Sequence, residues 1–189
     1  MKKIVLFMHT TLDGFVAGPQ GEMNWVNVKD EIFAEATKVT DRADTALYGR
    51  ATYDMMEGYW PTAADRPNAS KHDIEHSRWY NAVTKIVISK TMAGTQKPKT
   101  KVISDDLAQE IKKIKQGPGK DIVIFGSPST CHTLMKDNLI DEYILTINPV
   151  LLGSGIPLFK GTEKLTKLKL VSSKVLESAV VMAHYQYLG

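Results

Sequence analysis

The sequence predicts an α/β sandwich built on a mainly parallel sheet, and three observations predict it. Apolar runs of strand length, residues 4–8 and, within the strand 121–125, Ile122-Val123-Ile124-Phe125 above all, have no polar alternation, which is the pattern of strands covered on both faces. Between such runs lie segments with apolar residues at helical spacing: Ile32, Phe33, Ala36 and Val39, then Leu107, Ile111 and Ile114. Glycine and proline clusters separate the two kinds of segment.

In chain order, residues 4–8 are the first strand. The loop to Trp25 carries Asp13-Gly14, Gly18-Pro19 and Gly21, all turn formers, together with Phe15 and Val16, which are too apolar for a purely solvated loop. Residues 30–39 predict a helix and 44–48 the second strand. Residues 58–73, with Pro61 and Pro67, form a long excursion suited to a lid or an interface arm. A helical turn is expected at 77–82, a strand at 85–89, a short strand at 102–103, and a helix ended by Gly117-Pro118-Gly119. Strand 121–125 leads through Gly126-Ser127-Pro128-Ser129 into a helix with Leu134 and Met135. Strand 143–147, a glycine-rich loop over 149–159 and two closing strands at 168–176 and 180–187 complete the chain. The closing pair is compatible with antiparallel pairing.

At 189 residues the chain is long enough for one good core, and a single domain over 1–189 is expected. With 43% hydrophobic and 24% charged residues, neither disorder nor a membrane protein is indicated. The net charge of +3 comes from scattered lysines with no aromatic ladder, so a nucleic-acid partner is not expected. Cys131, the single cysteine, rules out an internal disulfide. No apolar run approaches membrane-spanning length, and the first residues do not form a signal peptide, so a cytoplasmic location is expected.

The chemistry concentrates at two junctions. At Ala46-Leu47-Tyr48-Gly49-Arg50-Ala51-Thr52 a buried strand ends in a glycine that frees the turn, and Thr52 is suited to cap a helix. A helix start offers unpaired N–H groups and a positive dipole end, and Arg50 adds forked donors, so the device suits phosphate. Taken alone, it also reads as an ordinary βα turn with a solvated arginine. The second junction, Phe125-Gly126-Ser127-Pro128-Ser129-Thr130, repeats the logic, with Ser127 or Ser129 as cap and Pro128 in the first turn. Two such starts on parallel strands open at the carboxyl edge of the sheet, where α/β ligands bind, and together they suit a pyrophosphate. Neither is a Walker loop or a GxGxxG fingerprint.

Other constellations are weaker. His9, His72, His76, His132 and His184 have no metal-site spacing, and no metal is expected; His72 and His76 read as solvated. Cys131 reads as a buried small apolar residue, and Asp141-Glu142 as a solvated strand entrance.

Leu12-Asp13-Gly14-Phe15-Val16-Ala17, Trp25, Tyr48-Gly49-Arg50-Ala51-Thr52-Tyr53, Ile88-Ser89-Lys90, Asp141-Glu142 and the run from Pro149-Val150-Leu151-Leu152-Gly153-Ser154-Gly155 to Phe159 resemble the dihydrofolate reductase superfamily. The resemblance is closer to its RibD C-terminal-like branch, named for the reductase domain of riboflavin biosynthesis, and spans almost the whole chain. It implies a three-layer α/β/α fold with a mostly parallel sheet and an antiparallel C-terminal strand, NADPH as hydride donor, a small pyrimidine- or pterin-like substrate and a homodimer. By position, Gly49, Arg50, Ala51 and Thr52 would hold cofactor phosphates. Ser89 and Lys90 would lie along the adenosine, Phe125, Gly126, Ser127, Pro128, Ser129 and Thr130 at the pyrophosphate, and Val16 and Ala17 beside the nicotinamide. Asp30, five residues after Trp25, matches the carboxylate that assists pterin protonation, and a helix starting there would aim it into the cleft. The family usually has Gly-Gly where this chain has Gly126-Ser127; an unusual backbone is implied there, either a cis peptide or a trans turn. Beside a riboflavin-pathway-like reductase, true dihydrofolate reduction and cofactor binding without turnover are the alternatives.

Overall fold

Strand β1 (Ile4–Thr11) runs through the middle of the computed structural model, which describes residues 1–27, 29–161 and 165–189. Ile4, Val5 and Leu6 are wholly buried, as a run without polar alternation must be when both faces are covered. After β1 come β2 (Phe15–Ala17), α1 (Asp30–Asp41), β3 (Ala43–Gly49), α2 (Arg50–Glu57), a 3-10 turn (Trp60–Asp65) and α3 (Lys71–Ala82). Then follow β4 (Thr84–Ile88), β5 (Thr100–Ile103), α4 (Leu107–Gln116), β6 (Asp121–Phe125), α5 (Pro128–Lys136), β7 (Glu142–Asn148), β8 (Ile156–Pro157), β9 (Leu168–Val175) and β10 (Val181–Tyr187).

The main sheet has the order β5-β4-β3-β6-β1-β7-β10-β9. From β5 to β7 every pairing is parallel, whereas β10 lies antiparallel to β7 and to β9. Because side chains alternate along a strand, Ile4, Leu6 and Met8 join the core under α4 and α5, with Ile111 and Leu134, while Val5 and Phe7 meet Ile32 and Val39 of α1 on the other face. Under α2 and α3 that second face is aromatic, with Tyr48, Tyr53 and Tyr80 wholly buried. This is the three-layer α/β/α fold with a mostly parallel sheet that the sequence predicts.

Several local expectations change. Instead of one helical turn at 77–82, α3 makes three turns, started by a Ser70–Asp73 capping box in which each side chain accepts from the other's backbone N–H. Its inner face is His76 and Tyr80, flanked by Trp79, and an aliphatic stripe was not there to be read. Thr52 does not cap α2. The helix begins earlier, at Arg50, with Gly49 in the cap position.

Strands β2 and β8 were not foreseen, being only three and two residues long. They pair with each other and lock the glycine-rich loop 149–159 onto the loop after β1. Gly155 makes this possible. It has φ +151°, and a Cβ there would lie 2.3 Å from the Ala17 carbonyl oxygen, so only glycine fits. The Asp13 carboxylate adds a clasp, accepting from the N–H groups of Leu152 (3.1 Å) and Gly153 (2.7 Å).

Candidate functional site

The carboxyl ends of β3 and β6 are adjacent in the sheet, so the helices that follow them start side by side. Neither start is capped by a side chain. The first N–H groups of α2 (Arg50, Ala51, Thr52) and of α5 (Ser129, Thr130) have no intrahelical partner, because the helical ladder begins one turn later. Pro128, at the first position of α5, has no N–H to leave unpaired. Both starts open onto one cleft of ≈ 350 Å³, lined by Gly49, Arg50, Ala51, Thr52 and by Gly126, Ser127, Pro128, Ser129. Its far wall is Val16, Ala17 and Ile156, set by the β2–β8 pairing, with Met8, Gly21, Met23 and Met55.

The two junctions are tied together. The Gly49 N–H donates to Ser127 Oγ across 2.9 Å, and a Cβ on Gly49 would fall 2.7 Å from Thr130 Oγ1. Ser127 therefore does not cap α5 as expected; its hydroxyl is spent on β3. The Gly126-Ser127 peptide is trans, since the described residues contain no cis bond. Both residues are nevertheless left-handed, at φ +72° and +59°. That is a costly choice for serine, and the Gly49 bond offsets it.

Beyond α2, the Arg50 Nη1 donates to Thr91 Oγ1 (2.8 Å), which lies 3.2 Å from Ser89 Oγ. Arg50 also pairs with Asp54 one turn along, at 3.4 Å. Ser89 is buried at the end of β4 and Lys90 exposed beside it; neither lines the cleft, and Thr91, which the sequence did not single out, is the link to Arg50. Thr130 is buried behind the start of α5.

A second cleft of ≈ 210 Å³ adjoins the first and shares Met8, Met23, Met55 and Gly126 with it. Its walls are aromatic: Phe7, Phe33, Trp60 and Phe125, with His9, His72 and His76. The expectation that His72 and His76 are solvated is wrong. His72 stacks on Phe33 with ring centroids 3.8 Å apart, and His76 packs against Trp60 at 4.2 Å. Burial pushes His9 down to about 4 and His76 to about 3, so both rings are neutral at pH 7. His9 Nδ1 lies 2.5 Å from Thr146 Oγ1, which leaves Nε2 as the nitrogen free for the cleft.

Asp30 is not brought to this place. It begins α1 but is exposed, and it borders a separate groove with Thr37, Ser70, Lys71 and Glu75. The stacked Phe33 and His72 line both, and so stand between that groove and the aromatic cleft. The expected aim of the Asp30 carboxylate is thus corrected. Glu142 is also not a solvated entrance: it is 4% exposed and accepts from Lys3, Arg42 and His184 at the opposite end of the sheet. Cys131 is buried as expected, and burial pushes its thiol up to about 12.

The family model described as the RibD C-terminal domain matches residues 2–182. The chain belongs to the RibD C-terminal domain family. Among curated relatives, the uncharacterized protein YyaP of Bacillus subtilis (strain 168) is 34% identical over 190 residues, covering 100% of this chain and 96% of YyaP. Among solved structures, a riboflavin-biosynthesis candidate from Shewanella sp. PV-4 superposes with a TM-score of 0.76 at 24% identity, covering 99% of each chain. Dihydrofolate reductase from Enterococcus faecalis, solved with NADP(H), superposes at 0.63 with 14% identity, covering 99% of this chain and 97% of that one. At those identities the solved structures establish the fold, and the RibD C-terminal domain model establishes a reductase family. No helix among the described residues is long and apolar enough to cross a membrane.

Proposed function

We propose that this chain is an NADPH-dependent reductase that delivers hydride to a C=N or C=O carbon of a small ring compound. The observation that carries the proposal is the pair of uncapped helix starts opening side by side onto one cleft. They suit a pyrophosphate, because each contributes unpaired N–H groups and a positive dipole end to the same few ångströms. α1 and α4 also start without side-chain caps; what sets α2 and α5 apart is the shared cleft. Arg50, held by Thr91 and Asp54, would meet a ribose 2′-phosphate. Val16, Ala17 and Ile156 would flank the nicotinamide, and Met8, Met23, Met55 and Gly126 stand where its cleft meets the aromatic one.

When bound, a reduced nicotinamide supplies the hydride from its C4. The protein's part is orientation, water exclusion and a proton. His9 is the group suited to that proton. The 2.5 Å contact holds the Thr146 hydroxyl far better than its 3.5 Å alternative, the Met8 carbonyl. A hydroxyl donating to Nδ1 puts the imidazole proton on Nε2, from which it can pass to the acceptor's oxygen or nitrogen. The aromatic cleft offers no carboxylate among its described lining residues, which favours this reading over true dihydrofolate reduction.

A homodimer belongs to the same proposal. Edge strand β9 exposes Leu170, Val171 and Val175, and sedimentation at twice the chain mass is the expected result; a monomer contradicts it. The test of the cofactor reading is a crystal grown with NADPH. Pyrophosphate density against residues 50–52 and 127–130 supports it, and density elsewhere or none contradicts it.

A further inference from the structure

The aromatic cleft is more selective than the reductase reading requires. Among its described lining residues there is no Asp, Glu, Lys or Arg, so nothing there can pair with a phosphate, a carboxylate or a cationic ring. Its polar side-chain groups are three imidazoles and the Trp60 indole N–H, which donates to Met56 Sδ. The walls are flat: the Phe33–His72 pair is stacked within 11° of parallel, and Trp60 and Phe125 add ring surface around it. At ≈ 210 Å³ the cleft suits a small ring system better than a ring bearing a sugar phosphate or a glutamate tail.

We infer that the substrate is an uncharged, flat, largely apolar carbonyl or imine compound, seated against Phe33, Trp60 and Phe125 with its acceptor atom toward His9. This rests on the reductase reading above and narrows it. The riboflavin-pathway type of substrate carries a phosphate and the folate type a carboxylate; neither charge finds a partner here. The reaction balances as a two-electron reduction. The substrate C=O gains a hydride at carbon and a proton at oxygen to become CH–OH. The dihydronicotinamide becomes the oxidised nicotinamide cation, and His9, left as an imidazolate to which the Thr146 hydroxyl donates, takes its proton back from solvent. Burial keeps the lining imidazoles neutral at pH 7, so they do not substitute for a missing cation.

A binding experiment separates this from the alternatives without relying on turnover. Isatin, a neutral flat bicyclic carbonyl, its sulfonate, folate and uridine monophosphate are each titrated with and without NADP⁺, following tryptophan fluorescence, since Trp60 lines the cleft. Isatin should bind at least about tenfold tighter than its sulfonate, which must leave a charge unpaired. Met55→Lys places a cation at an exposed rim position that can tolerate it, and should tighten the sulfonate roughly two- to fivefold. The inference is overturned if the sulfonate, folate or the nucleotide binds as tightly as isatin. NADPH is titrated in the same samples by its own fluorescence. If it binds while the charged compounds win, only the substrate class falls; if it does not bind, the reductase reading falls, and the substrate inference with it.

Discussion

The Gly49 N–H and the Ser127 Oγ, 78 positions apart in the chain, meet at 2.9 Å and join the starts of α2 and α5. Ser127 holds a left-handed backbone to make that bond. Two substitutions separate the terms. Ser127→Ala keeps the strained backbone and loses the bond, and should destabilise by about 1–2 kcal/mol. Ser127→Gly loses the same bond but releases about 1–2 kcal/mol of backbone cost, so it should be nearly neutral. Urea unfolding of both variants checks this; equal losses would show that the bond, and not the φ, sets the balance.

Gly155 gives a second paired test. Gly155→Ala drives a methyl into the Ala17 carbonyl at 2.3 Å, and should cost at least about 2 kcal/mol while loosening β8 from β2. Gly153 also has positive φ, +71°, but open space around it, so Gly153→Ala should cost only about 1–2 kcal/mol. Cofactor affinity should drop for the first variant more than for the second. Similar affinities would mean that the β2–β8 lock does not set the nicotinamide wall.

Acid stability should fall in two windows. Burial alone would raise the Glu142 carboxyl, but hydrogen bonds and charge from Lys3 and Arg42 outweigh it and hold it at about 2, below the ordinary 4.5. A lowered carboxylate contributes stability above its unfolded value that is lost as pH falls from about 4.5 toward 2. His9 and His76 have values lowered from 6.5, so the unfolded chain takes up their protons first, and stability falls from about pH 6.5 toward 4 and 3. Glu142→Gln should cost about 1–3 kcal/mol at pH 7, tempered because Lys3 and Arg42 still reach water. It should flatten only the lower window. Melting temperatures from pH 7 to 2 decide; an unchanged lower slope would contradict the assignment.

His9 and Asp30 divide the proton question. His9→Phe keeps the ring and its packing but removes Nε2, and should lower kcat about a hundredfold or more with little change in KM. Asp30→Asn should leave kcat within about twofold across pH, as expected of an exposed first-turn residue whose charge serves mainly the helix dipole. Should Asp30→Asn be the damaging change, the carboxylate carries the proton after all and the orientation seen here is not the working one.

These variants follow how much the sequence disclosed. The strand cores at residues 4–8 and 122–125 were readable because unbroken apolar runs of that length fit a strand covered on both faces. The twin junctions at Gly49 and Gly126 were readable because glycine, a small polar residue and a helix start recur in order. Of α3 only the end, at 77–82, was readable as helical, since its buried face is histidine, tryptophan and tyrosine, whose hydropathy does not mark a stripe. The missing caps could not be read either. Thr52, Ser127 and Ser129 are good capping residues by type, and only the three-dimensional partner of each decides. Met23 and Met55 reach the clefts from a loop and a helix face, and Thr91 reaches Arg50 from the turn after β4, with no motif of their own.

Titrating NADPH and NADH against the wild type and Arg50→Ala tests the cofactor site most directly. Arg50 stands at the mouth of the cleft, tethered to Thr91 and Asp54 but with its side chain 56% exposed, so a phosphate can reach its fork. NADPH should bind the wild type more tightly than NADH. Arg50→Ala should weaken NADPH by about 1.5–3 kcal/mol, roughly ten- to a hundredfold, and leave NADH almost unchanged. Equal losses for the two cofactors, or wild-type affinity for neither, would contradict a nicotinamide site at the paired starts of α2 and α5.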